Sequence, residues 1–179
     1  FYDYDDDGDP DVLIIGLLSG TSTEITRLYD NSGEVFTEVS TSMTAANYGS
    51  VQWGDYDNDG DADILLVGGT DGTQSPVAQV YTNDGGVFSA QEAAVPGVST
   101  GRAQWGDYDA DGDLDVFAIG DLTGGAGFSA TLYENTVDIA NTTPDAPDGL
   151  FAALIGSRIE FNWNAATDAE TAAPALTYN

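Results

Sequence analysis

The chain has 179 residues, of which 31 are Asp or Glu and only three Lys or Arg, giving a formal net charge of -28; it contains no His and no Cys. A surface of that sign repels nucleic acid and anionic membranes. The three basic residues are all Arg, so the usual general base, Schiff-base amine, thiol nucleophile and the nitrogen or sulfur ligands that suit zinc are missing, and catalysis is not expected.

The first element is an acidic loop, DYDDDGDPD, over residues 3–11. It returns at a fixed interval of 52 residues as DYDNDGDAD from Asp55 and DYDADGDLD from Asp107. Calcium takes six to eight oxygen ligands from a short, sharply bent loop with alternate side chains turned inward and glycine at the sixth position. Each loop meets that demand, with carboxylates at positions 1, 3, 5 and 9 and Gly8, Gly60 or Gly112 at position 6. The expected side-chain ligands are Asp3, Asp5, Asp7 and Asp11, then Asp55, Asp57, Asp59 and Asp63, then Asp107, Asp109, Asp111 and Asp115. Asp9, Asp61 and Asp113 are expected to offer main-chain oxygen, with their own carboxylates facing water.

Asp and Gly are also ordinary turn residues, and a solvated acidic turn is the bland alternative. Carboxylates crowded this closely repel by roughly 1 to 4 kcal/mol per close pair, so a loop without a cation should splay. Three copies in register therefore favour metal binding, at about three calcium ions per chain, which would bring the formal charge to -22. An EF-hand is excluded, because it needs a bidentate Glu at position 12, where this chain has Ile14, Leu66 and Ala118. A carboxylate pair can serve as acid and base, but Asp residues grouped as a cage have a structural use.

A short apolar run follows each loop, at residues 12–15, 64–67 and 116–119, and each is closed by a glycine, Gly16, Gly68 or Gly120. Such runs are expected to be buried β-strands. The 52-residue interval also relates Phe1, Trp53 and Trp105 ahead of the loops, and Tyr29, Tyr81 and Tyr133 in a later strand, followed by Asn31, Asn83 and Asn135. The aromatics are expected to pack, and the Asn-x-Gly pieces at Asn31 and Asn83 to form hairpin turns. Gly33 and Phe36 have counterparts in Gly85 and Phe88, so each repeat offers four strands in about 50 residues, the period of a propeller blade.

Taken together, an aromatic residue, the acidic loop, an apolar strand ending at glycine and then Leu-Tyr-x-Asn-x-Gly-x-x-Phe resemble the FG-GAP or VCBS-type repeat of integrin α-subunit propellers and of many secreted bacterial proteins. The resemblance covers residues 1–139, as repeats 1–54, 55–106 and 107–139. It implies an all-β fold of calcium-stabilised propeller blades used in adhesion and cell-surface structure. The third repeat departs from the pattern by losing Gly-x-x-Phe. Closing a propeller takes at least about four blades.

Residues 140–146 have the composition of an exposed linker, and Asn141 heads an Asn-Thr-Thr glycosylation sequon. Residues 147–179 resemble the opening of a fibronectin type III domain, with Trp163 as its core tryptophan and Tyr178 at the start of its third strand. The alternation Ile159, Phe161, Trp163 predicts a half-buried strand, and these residues supply only part of a β-sandwich.

The expected function is that of a non-enzymatic, secreted or surface-attached structural or adhesion protein, or the subunit of an extracellular filament. Its partners would be neighbouring blades or other copies of itself at open sheet edges, glycans or surface proteins, with no nucleic acid and no membrane insertion. The alternative is a carbohydrate-binding or spacer module of a larger secreted enzyme, with Tyr4, Tyr56 and Tyr108 as stacking candidates. Moderate-affinity calcium sites fill outside the cell. The chain opens inside the first loop without a signal peptide, so a leader is expected upstream of it.

Overall fold

Every regular element is a β-strand in the computed structural model, which describes residues 1–70, 75–91, 95–122, 127–136, 146–156, 158–164 and 166. The first loop leads into β1 (Val12–Leu17), β2 (Glu24–Ser32) and β3 (Val35–Val39), which form an antiparallel sheet in that order. The second sheet has four strands in sequence order: β4 (Asn47–Gly54), β5 (Asp63–Thr70), β6 (Ser75–Asp84) and β7 (Val87–Gln91). The third contains β8 (Gly101–Gly106), β9 (Asp115–Asp121) and β10 (Phe128–Tyr133), with β9 central. A hairpin of β11 (Phe151–Ile155) and β12 (Arg158–Asn162) stands apart from these sheets in its pairing.

The full four-strand pattern expected of each repeat is met in the middle sheet. Its two neighbours have three strands each among the described residues, the first lacking a strand into its loop and the third lacking the last strand. The second and third acidic loops each join an incoming strand to an outgoing one, between β4 and β5 and between β8 and β9.

Side chains alternate along a strand, and β5 shows what that alternation holds together. Ile64 and Leu66 pack with Leu13 and Leu28 of the first sheet, and Leu65 and Val67 pack with Ala103, Val116 and Ala118 of the third. All four β5 residues are almost wholly shielded from solvent. Full burial of such a side chain favours the folded state by about 1.5–3 kcal/mol, so this strand anchors both neighbours. β1 and β9 bury only the face turned toward the middle sheet, and their outer faces differ in this from the buried strands expected.

The glycines after the apolar runs do not end the strands, which continue to Leu17, Thr70 and Asp121. Gly68 and Gly120 admit neighbouring backbone instead, whereas Gly16 has open space around it: a Cβ at Gly68 would lie 2.6 Å from the Asn47 carbonyl, and one at Gly120 would lie 2.6 Å from the Thr100 carbonyl. The hairpin turns also differ from expectation. Asn31 and Asn83 lie within β2 and β6, and the turns are Gly33-Glu34 and Gly85-Gly86, all four residues with positive φ. Two consecutive left-handed residues match the right-handed twist of the flanking strands.

In the C-terminal hairpin Ile159, Phe161 and Trp163 are exposed, not half-buried as the alternation predicted. Among the described residues no facing sheet covers these two strands. Asn141, Tyr178 and most of the linker at 140–146 lie outside the described residues. No helix among the described residues is long and apolar enough to cross a membrane.

Candidate metal centres

Two left-handed residues bend each acidic loop. Position 6 is glycine with φ of 95°, 96° and 98° at Gly8, Gly60 and Gly112, where a Cβ would be strained. Position 4 is also left-handed, at Asp6, Asn58 and Ala110, a requirement that Asp and Asn tolerate better than Ala. The bend turns the loop amides inward onto the loop's own carboxylates. The position 1 carboxylate accepts from the amides of positions 5 and 6, as Asp55 does from Asp59 N at 3.1 Å and Gly60 N at 3.1 Å. Asp3 and Asp107 make the same pair of bonds.

Position 9 is the deepest. Asp11, Asp63 and Asp115 are wholly buried, and each carboxylate accepts two backbone amides from different parts of the chain. Asp63 takes Tyr56 N at 2.6 Å and Asn83 N at 2.8 Å. Asp11 takes Tyr4 N and Asn31 N, and Asp115 takes Tyr108 N and Asn135 N. This role of the three Asn residues was not foreseen, although their constant separation of 20 residues from the position 9 Asp signals it.

The carboxylates of positions 1, 3 and 9 converge in every repeat. Asp3, Asp5 and Asp11 bring one oxygen each within 4.8 Å of one another, as do Asp55, Asp57 and Asp63, and Asp107, Asp109 and Asp115. Position 5 stands differently. Asp7 gathers with Asp5 and with Asp30 of β2, a residue not anticipated, whereas Asp59 and Asp111 join no such group among the described residues. One oxygen of each position 5 carboxylate accepts the amide of position 7.

The carboxylates of position 7 are not left to water, contrary to expectation. Asp9 accepts from Gly33 N and Asp61 from Gly85 N, both at 2.8 Å, tying the loop to the adjacent hairpin turn. Asp113 accepts instead from the Asn58 side chain at 2.7 Å, a link from the second loop to the third. Each carboxylate has an amide in reach once the loop has folded onto its sheet.

Burial pushes the Asp63 carboxyl up to about 7, with Asp57 and Asp59 adding to the rise against the pull of the Asn83 and Tyr56 amides. Burial likewise raises Asp55 to about 6, helped by Asp59 and Asp57. Asp5, Asp57, Asp109 and Asp113 are also raised, each chiefly by burial. Oδ1 of Asp57 is buried without a hydrogen-bond partner. A cluster of oxygens alone, with protonation favoured and a shielded oxygen unfilled, has the chemistry of a hard-cation site.

Between sheets, the position 2 tyrosines of the first two loops lie against a tryptophan of the next sheet. Tyr4 stacks on Trp53 with ring centroids 6.3 Å apart, and Tyr56 meets Trp105 at 5.6 Å. Each backbone carbonyl of these tyrosines accepts a side-chain amide from the next sheet, Asn83 to Tyr4 and Asn135 to Tyr56. Tyr4 and Tyr56 are thus packing residues, and Tyr108 is exposed.

Comparison with curated proteins and with solved structures finds no match in either. Residues 3–66, from the first acidic loop to the middle of β5, match the FG-GAP-like repeat.

Proposed function

We propose that this chain is a non-enzymatic structural protein of the extracellular space or cell surface, whose propeller-type blades are pinned by calcium and which serves in adhesion or as the repeating subunit of a filament. The observation that carries the reading is the threefold convergence of positions 1, 3 and 9, with the unfilled oxygen of Asp57 in the middle copy. Asp3, Asp5 and Asp11, then Asp55, Asp57 and Asp63, then Asp107, Asp109 and Asp115 would hold the ions. Asp7, Asp59 and Asp111 stand one residue pair further along each loop and can turn their second oxygen to the same ion.

The ion would supply charge neutralisation and rigidity. The chain's own part is to present carboxylates already oriented by loop amides, so that little ordering is left for binding. A site at ten times its dissociation constant stabilises the folded state by about 1.4 kcal/mol. Millimolar calcium outside the cell suits sites of this exposure, and a surface so acidic suits a role away from nucleic acid and anionic lipid. The C-terminal hairpin fits the opening strands of a fibronectin type III-like sandwich.

Calorimetric titration should show about three calcium ions per chain, and excess chelator should lower the melting temperature. Asp57→Ala should remove one ion. An unchanged melt in chelator, with no heat of binding, would remove the metal from the proposal.

A further inference from the structure

Position 4 of the acidic loops carries Asp6, Asn58 and Ala110, and of these only Asn58 has a side-chain N–H to donate. Its Nδ2 leaves the second loop and donates to Oδ1 of Asp113, at position 7 of the third loop, at 2.7 Å. Asn58 is 6% exposed and Asp113 7% exposed, so water does not compete for the bond, and a hydrogen bond to a shielded carboxylate is among the strong ones. Each partner stands inside the ligand run of its own loop. Asn58 lies between Asp57 and Asp59, and Asp113 lies between Asp111 and Asp115 and donates its backbone amide to Asp111 Oδ1 at 3.0 Å.

The first and second loops lack this link. Their residues in the same register are Asp6 and Asp61, and two ionised carboxylates offer each other no donor. Asp61 accepts instead from Gly85 N, in the hairpin of its own sheet. Both pairs of loops share only a longer route, in which an Asn side chain reaches the tyrosine carbonyl of the preceding loop while its backbone amide holds the position 9 Asp. Asn83 makes that route for the first pair and Asn135 for the second.

We propose that the second and third loops bind calcium as a coupled pair through the Asn58–Asp113 hydrogen bond, each ion raising the affinity of the other, while the first loop binds its ion independently. An ion that draws in Asp57 and Asp59 fixes Asn58 between them. The fixed side chain then holds Asp113, whose amide in turn sets the Asp111 carboxylate. A loop ordered in advance loses less freedom when its ion arrives, and the gain is reciprocal. The inference rests on the calcium reading proposed above and adds that the three ions are not equivalent.

The coupling is measured by calcium titration calorimetry at neutral pH, in moderate salt that screens repulsion between the ions. Asp5→Ala disables the first loop and leaves two stepwise affinities. Their product is compared with the product of the single affinities of Asp5→Ala/Asp109→Ala, which keeps the second loop, and Asp5→Ala/Asp57→Ala, which keeps the third. The expected ratio is about fivefold or more, falling to about one when Asn58→Ala is added throughout. The third loop already carries alanine at position 4 in the same left-handed conformation, at Ala110, so the substitution suits the bend. The matching ratio for the first and second loops, taken in the Asp109→Ala background, should be about one. A ratio of one for the second and third loops, or a raised ratio that survives Asn58→Ala, would overturn the coupling and leave the calcium sites standing. Equal raised ratios for both pairs would assign the coupling to the shared Tyr–Asn route and overturn the part given to Asn58. No heat of binding in any variant, the native chain included, would remove the metal reading and the coupling with it.

Discussion

Asp63 is a carboxylate kept from water by the strand it begins, and its raised pKa sets how acid acts on the middle loop. In metal-free protein the folded state holds protons on Asp63 up to about pH 7 and on Asp55 up to about pH 6, which the unfolded chain releases near pH 4. Stability from these groups is therefore fully present below about pH 4, lost as pH rises through 6 and 7, and level above. Calcium bound as proposed would reverse the sign, because the ion would have to displace those protons. Metal-free protein should melt lower at pH 7 than at pH 5, and calcium affinity at the middle loop should fall at least tenfold between pH 7 and pH 5, measurable by scanning fluorimetry and titration at each pH. At this scale spacing pointed to carboxylates at positions 1, 3, 5 and 9, of which 1, 3 and 9 converge in every repeat, while position 5 joins a group only at Asp7 among the described residues. It did not show that position 7 clamps a hairpin, because that depends on which distant amide arrives beside it.

Position 9 binds three elements into one. Asp63 opens β5, reaches back to Tyr56 in its own loop and holds Asn83 near the end of β6. Removing that side chain orphans two amides in a buried setting, each worth about 1–3 kcal/mol. Asp63→Ala should thus destabilise the protein by about 3 kcal/mol with calcium and also in chelator, whereas Asp57→Ala should show its loss in calcium alone; urea unfolding under both conditions separates them. The apolar runs announced β1, β5 and β9. Their limits were hidden, since Gly68 and Gly120 look like stops in sequence yet serve as close approaches to Asn47 and Thr100.

Across the whole molecule, protection is centred on one strand. β5 is hydrogen-bonded on both edges and packed on both faces, so its amides should exchange only through global unfolding. The β11–β12 hairpin, with Phe151, Leu154, Ile159 and Phe161 all exposed, should exchange fastest in a hydrogen-exchange time course. Slow exchange confined to β1 or β9 would contradict the layering. The repeat was legible at this scale because the interval is constant. The strand read at Ile159 and Phe161 is present as β12, but its side chains are exposed, because alternation reports a face and the partner sheet that would cover it is a separate matter.

Asn83 and Tyr4 lie 79 residues apart, and so do Asn135 and Tyr56. The second and third sheets therefore grip the sheet before them with the same latch, an Asn amide on a Tyr carbonyl whose ring meets a Trp of the gripping sheet. Tandem duplication of one repeat would lengthen the protein without inventing a surface, and loss of one would rejoin its neighbours on matching parts. Lineages bearing this chain are accordingly free to vary in unit number in whole steps, while insertions inside a unit misalign both latches at once.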